Sequence, residues 1–186
     1  MANRVSALAG RTSAGLLGKP GEPGVCLREI AELQLWQIAA WPESLASVGD
    51  EIKTHIDAAA APGPGQTAEG TAGIALRIEP LKWWILKGSA PLLTPDLGVV
   101  LDLSHSRTHV RISGADAAEC LSRLLPLDLR DAGFKTGEVA SSGIHHVGVT
   151  LYRNTDGYDL FIPRGFAVSV WELLLETAEQ FGAEIL

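Results

Sequence analysis

The sequence predicts an α+β fold, two-lobed, with antiparallel sheets and helices laid on one face, and three observations carry that expectation. Short apolar runs rich in β-branched and aromatic residues, bounded by Gly, Pro or Asn, recur at residues 74–78, 98–103, 109–113 and 158–163. Helical spacing of three and four residues is confined to a few segments that follow groups of strands, which separates this pattern from strict strand–helix alternation. The hydrophobic share of 46% against 20% charged, over 186 residues, is enough to build a core for one domain or for two small lobes.

Residues 1–24 carry Arg4, Arg11 and Lys19 among Ala, Ser, Gly and Pro, with Glu22 the only acid. Such a segment buries too little apolar surface to order itself alone, so a flexible N-terminal arm is predicted, either frayed or ordered against a partner. Globular structure is expected over 25–186, in lobes of roughly 25–90 and 96–186. A strand is predicted over 30–41. Pro42 then sits in the first turn of a helix whose buried face is Leu45, Val48, Ile52 and Ile56. Residues 58–73 read as a surface loop. Strands over 74–78 and 81–86 follow, split by Glu79-Pro80; extended, Trp83 and Trp84 face opposite sides, one toward the core and one toward a partner. After a Pro-containing link at 88–95 come strands over 98–103 and 109–113 and a helix over 115–125 with Ala118, Leu121, Leu124 and Leu125 on one side. A loop to Gly137, a strand over 145–153, a turn at 154–157 containing Asp156-Gly157, a strand over 158–163 and a closing helix to Phe181 complete the series. Phe166, Val170, Leu174 and Phe181 supply the apolar stripe of that last helix.

The formal net charge of −7, with Lys and Arg scattered, excludes a nucleic-acid partner. Cys26 and Cys120 lie far apart and read as two reduced thiols. No apolar run approaches the roughly 20 residues of a membrane helix, and a cytoplasmic, membrane-free location is expected. No Gly-x-Gly-x-x-Gly follows a strand, and Gly63-Pro64-Gly65 reads as a loop, so no dinucleotide site is expected.

The polar residues each admit a functional and a structural reading. Asp102, Ser104 and His105 tempt a hydrolase reading. Neighbours on a strand point to different sides, however, so closure of a polar corner by Asp102 or Ser104 is preferred. His105 and His109 have a four-residue spacing that suits a metal only on a helix, whereas this segment reads as strand and turn. His145 and His146, extended, face opposite ways, one buried and one at the surface. Arg107, Arg111, Arg153 and Arg164 either scatter into solvent, pair at a subunit interface, or gather around an anionic ligand. No catalytic, cofactor-binding or metal residue is assigned.

The run from Val99 to Leu129, with its Asp102-Leu103-Ser104-His105 corner, resembles the start of the folate-binding aminomethyltransferase fold, and above all the sarcosine oxidase gamma subunit family. Leu35-Trp36-Gln37-Ile38-Ala39-Ala40-Trp41-Pro42, Trp83-Trp84-Ile85-Leu86, Pro126-Leu127-Asp128-Leu129, Tyr152-Arg153 and Tyr158 to Arg164 followed by Phe166 continue the likeness in order. The resemblance implies a shortened aminomethyltransferase folate-binding domain. It also implies a structural subunit of a heterotetrameric oxidase that demethylates sarcosine, or another N-methyl amine, to glycine with tetrahydrofolate as one-carbon acceptor. NAD, FAD, FMN, zinc and tetrahydrofolate would then reside in partner alpha, beta and delta chains. A stand-alone folate-binding aminomethyltransferase-like or folate-dependent repair protein is the competing expectation. The aminomethyltransferases keep a carboxylate on the strand before their Tyr-Arg pair. Here Ile144-His145-His146-Val147-Gly148-Val149 contains no acid.

Overall fold

The computed structural model describes residues 5–186. Its twelve strands form two sheets that are almost wholly antiparallel, with three α-helices, an α+β architecture. The chain divides into two compact units: residues 5–31, 106–136 and 141–186 in the first, residues 32–105 and 137–140 in the second. These limits differ from lobes at 25–90 and 96–186, because strand pairing rather than chain order sets them. Strand β2 (Val25–Glu29) pairs with β8 (Arg107–Ser113), while β7 (Gly98–Asp102) pairs back onto β3 (Leu35–Ala40).

The second unit is the five-stranded sheet in the order β4 (Thr67–Gly70), β5 (Gly73–Glu79), β6 (Lys82–Leu86), β3, β7. Pro42 opens a 3-10 turn that runs into α1 (Leu45–Ile56). The predicted Val48, Ile52 and Ile56 are buried on Ile38, Ala75, Trp83 and Ile85 of the sheet, and Leu45 packs at the margin. Asp57 in the left-handed region ends the helix, its N–H donating to the carbonyls of Lys53 and Thr54. Strand β4 lies within the segment expected to be loop. It has no large apolar residue to signal a period, and at Gly70 the backbone passes so near the end of α1 that a Cβ would lie 1.9 Å from the Ile56 carbonyl oxygen. Both Trp83 and Trp84 are buried, against the expectation that one faces outward. The Trp84 indole N–H donates to Gln37 Oε1 at 3.1 Å, which supplies the polar contact a buried indole needs.

The first unit is the seven-stranded sheet, in the order β1 (Gly15–Leu17), β12 (Ala183–Ile185), β2, β8, β11 (Gly157–Pro163), β10 (Val147–Asn154), β9 (Val139–Ile144). Its single parallel pairing joins β12 to β2. Helix α2 (Ala117–Ser122) contacts β2, and α3 (Ala167–Glu179) contacts β11 and β12. Their apolar sides, Cys120, Leu121, Trp171 and Leu174, are buried with Leu27, Val110, Ile112, Leu151, Leu160 and Ile162. Phe166, expected in the stripe of α3, is instead 53% exposed at the 3-10 turn before it.

Where the sequence predicts a flexible arm over 1–24, residues 5–24 lie against the first unit: Leu8 is fully buried, the Trp171 indole donates to the Arg11 carbonyl, and Leu16 pairs with Glu184. Residues 1–4 lie outside the described residues. Strands β1 and β12, three residues each, are too short for a period to reveal. The expected strand over 145–153 is β10, which begins at Val147; an unexpected strand, β9, precedes it, with His145 and His146 in the turn between them.

Candidate functional site

On one face of the seven-stranded sheet, register alignment gathers a polar cluster. Arg111 on β8 stands opposite Asp159 on β11, and His109, two residues along β8, stands opposite Phe161. Period two puts His109 and Arg111 on the same side of β8, which is why they meet the same carboxylate. Arg111 grips Asp159 as a fork, Nε to Oδ1 at 2.9 Å and Nη2 to Oδ2 at 3.0 Å, and the Asn154 amide donates to Oδ2 at 2.8 Å. His109 Nε2 approaches Oδ1 to 3.0 Å without the alignment of a hydrogen bond, and its ring stacks on Phe161 at 4.6 Å between centroids. Asp159 and His109 are both 1% exposed at the side chain.

Burial alone would raise the Asp159 pKa. The adjoining His109 and Arg111 more than offset this and hold it at about 2. A carboxylate whose oxygens are occupied by a guanidinium and an amide, and which stays ionised far below neutrality, is a poor proton acceptor; it locks β8 to β11. No sequence assignment named Asp159. The available signal was a lone acid inside the apolar run 158–163, since a buried charge requires a partner.

The other polar residues disperse. The Ser104 N–H donates to Asp102 Oδ1 at 2.8 Å, and the Leu35 N–H donates to Ser104 Oγ at 3.0 Å, so the corner is structural, as the preferred reading holds. His105 is exposed while His109 is buried, and the two share no site. Among the described residues no three His, Cys, Asp or Glu converge in a metal-binding arrangement. Arg153 pairs with Asp131 at 2.5 Å, Arg164 donates to the Val5 carbonyl, and Arg107 bonds Ser106; the four arginines do not converge on one anion site. His145 and His146 are both exposed at the β9–β10 turn, which corrects the expectation of one buried ring; His145 adopts φ 51°. Burial raises the Cys120 pKa to about 11, against the opposing effect of Arg123, leaving an unreactive thiol.

Two surface clefts accompany these residues. In the first unit, a polar cleft of about 290 Å³ is lined by Asp131, Arg153, Asn154, Asp156 and Tyr158. In the second, a more apolar cleft of about 310 Å³ lies between α1 and residues 89–93, floored by Ile38, Val48 and Ile52.

No family model matches the chain. The sarcosine oxidase subunit gamma of Corynebacterium sp. (strain U-96) is 27% identical over 173 residues, which are 88% of this chain and 83% of that subunit. Along most of its length the chain is similar to that gamma subunit. The heterotetrameric sarcosine oxidase of Corynebacterium sp. U-96, solved with pyrrole 2-carboxylate, contains a chain that superposes with a TM-score of 0.77 at 22% identity, covering 96% of each. Aminomethyltransferases match only part of the chain. That of Koribacter versatilis is 33% identical over 88 residues, and the chain spans only 23% of its length. The glycine cleavage aminomethyltransferase T of Bartonella henselae shares the fold at a TM-score of 0.59 and 16% identity, over 85% of this chain and 47% of that one. The chain therefore shares a fold with the aminomethyltransferase of Bartonella henselae, and its stretch from Ile144 to Val149 is an acid-free hairpin turn.

Proposed function

We propose that the chain is the gamma-type subunit of a heterotetrameric, flavin-dependent oxidase of sarcosine or a related N-methyl amine, and that it shapes and stabilises the assembly rather than reacting. The observation that carries this reading is the likeness to a gamma subunit along 88% of the chain and 83% of that subunit. Alpha, beta and delta chains are the expected partners, holding NAD, FAD, FMN and zinc, in the cytoplasm. Among the described residues no helix is long and apolar enough to cross a membrane.

The residues of the hairpin and of the Asp159 cluster support a part outside one-carbon transfer. Transfer of a one-carbon unit generates positive charge that an anion must face. The hairpin 144–149 offers two exposed imidazoles and no carboxylate, and Asp159 is already committed to Arg111 and Asn154.

The test is purification of the native particle with identification of what travels with the chain. The expected result is a hetero-oligomer whose other chains carry the flavin, the isolated chain having no flavin absorbance. A small monomer or dimer that binds tetrahydrofolate by itself would overturn the proposal in favour of a stand-alone folate protein.

A further inference from the structure

Each sheet has two edges, and proteins protect edges by shortness, charge, proline or bulges. Among the described residues β1 has three residues, β4 carries Glu69, and β9 carries Ser141 and Ser142. Strand β7 differs. Its first four residues, Gly98-Val99-Val100-Leu101, are uncharged, the acid Asp102 comes only at its end, and its register with β3 runs unbroken from Gly98 opposite Ala40 to Asp102 opposite Trp36.

The backbone phase is fixed at both ends of this pair. The Trp41 N–H donates to the Leu97 carbonyl, and the Leu103 N–H donates to the Leu35 carbonyl. Residues 97, 99, 101 and 103 therefore turn their peptide groups toward β3, and Gly98 and Val100 turn theirs toward the open edge. The side chains on one face of that edge are apolar: Val99 is 42% and Leu101 46% exposed, beside Trp41 at 43%. Residues 88–105 hold two acids, Asp96 and Asp102, and no Lys or Arg, within a chain of net charge −7.

We infer that β7 is a docking edge for an extended segment of another subunit, which adds a strand through main-chain hydrogen bonds at Val100, sets apolar side chains on Val99 and Leu101, and carries Lys or Arg opposite the acidic flanks. A peptide edge with period-two apolar side chains specifies a strand rather than a helix as its occupant, and the local charge specifies a basic one. The inference rests on the proposed place of the chain in a hetero-oligomer and names the surface by which it enters.

Hydrogen exchange of the full chain, alone and in the purified complex, tests this. The Val100 amide should exchange about tenfold or more slowly in the complex than in the free chain. Leu101→Glu, which adds like charge and removes the apolar contact, should cut recovery of the complex by about tenfold while leaving the circular dichroism of the free chain unchanged. An intact hetero-complex in which Val100 gains no protection overturns the docking edge and leaves the subunit assignment standing. Failure to form any hetero-complex overturns both. Protection that instead grows with concentration of the chain alone would identify a second copy as the occupant and also overturn the proposal.

Discussion

Asp159 shows how much one residue can determine in a sheet of this kind. Its pKa of about 2 lies below the 3.8 of an unhindered carboxylate, so the folded state binds fewer protons than the unfolded state in the interval between them. The stabilisation is complete above about pH 5 and disappears as pH falls through about 2, a contribution of about 2 kcal/mol. Asp159→Asn should therefore be less stable at neutral pH and should show a flatter loss of stability between pH 5 and 2 than the parent. Urea titrations across that range check this, and parallel pH curves for the two proteins would refute it. The sequence offers half of this site. Alternation places His109 and Arg111 on one side of β8, but which strand lies beside β8 depends on a pairing across 48 residues, Arg111 to Asp159, that no local pattern encodes.

At the scale of elements, legibility follows length and apolar content. Helix α1 is evident because Val48, Ile52 and Ile56 repeat on one face over twelve residues, and β11 because five consecutive residues, Tyr158 to Ile162, are buried. The missed strands have other causes. In β4 the residues are Thr-Ala-Glu-Gly; β1 and β12 have three residues each; and the serines of β9 conceal a strand beside a readable one. The His145-His146 turn was lost for the same reason, since an unrecognised β9 makes its turn look like the start of β10. That turn carries a prediction. Asparagine tolerates the left-handed conformation that His145 adopts at φ 51°, so His145→Asn should fold at least as stably. In the assembled oxidase it should change turnover by less than about tenfold, where removal of a true acid or base costs about 10²–10⁴. A hundredfold loss in an intact, fully flavinated complex would return the hairpin to the chemistry.

For the whole molecule, exposed apolar side chains measure how far the isolated chain is from satisfied. Of five tryptophans, Trp83, Trp84 and Trp171 are buried, and the exposed large apolar side chains among the described residues include Leu16, Leu92, Trp41, Val99, Leu101 and Phe166. The free chain should bind an apolar-surface dye, and the signal should fall on assembly with its partners. A soluble monomer that binds no dye would argue against a subunit made for burial. The pairing of β12 with β2 has a further consequence, for synthesis. Val25 must find Ala183, and about 160 residues separate them. At roughly 5–20 residues per second, translation holds β2 without that neighbour for roughly 10–30 s. Residues 32–105, by contrast, contain all five strands of their own sheet and can close it while the rest of the chain is still being made. Strand β2 can pair with β8 well before β12 is made, so a pause late in the message prolongs the interval in which one side of β2 has no neighbour.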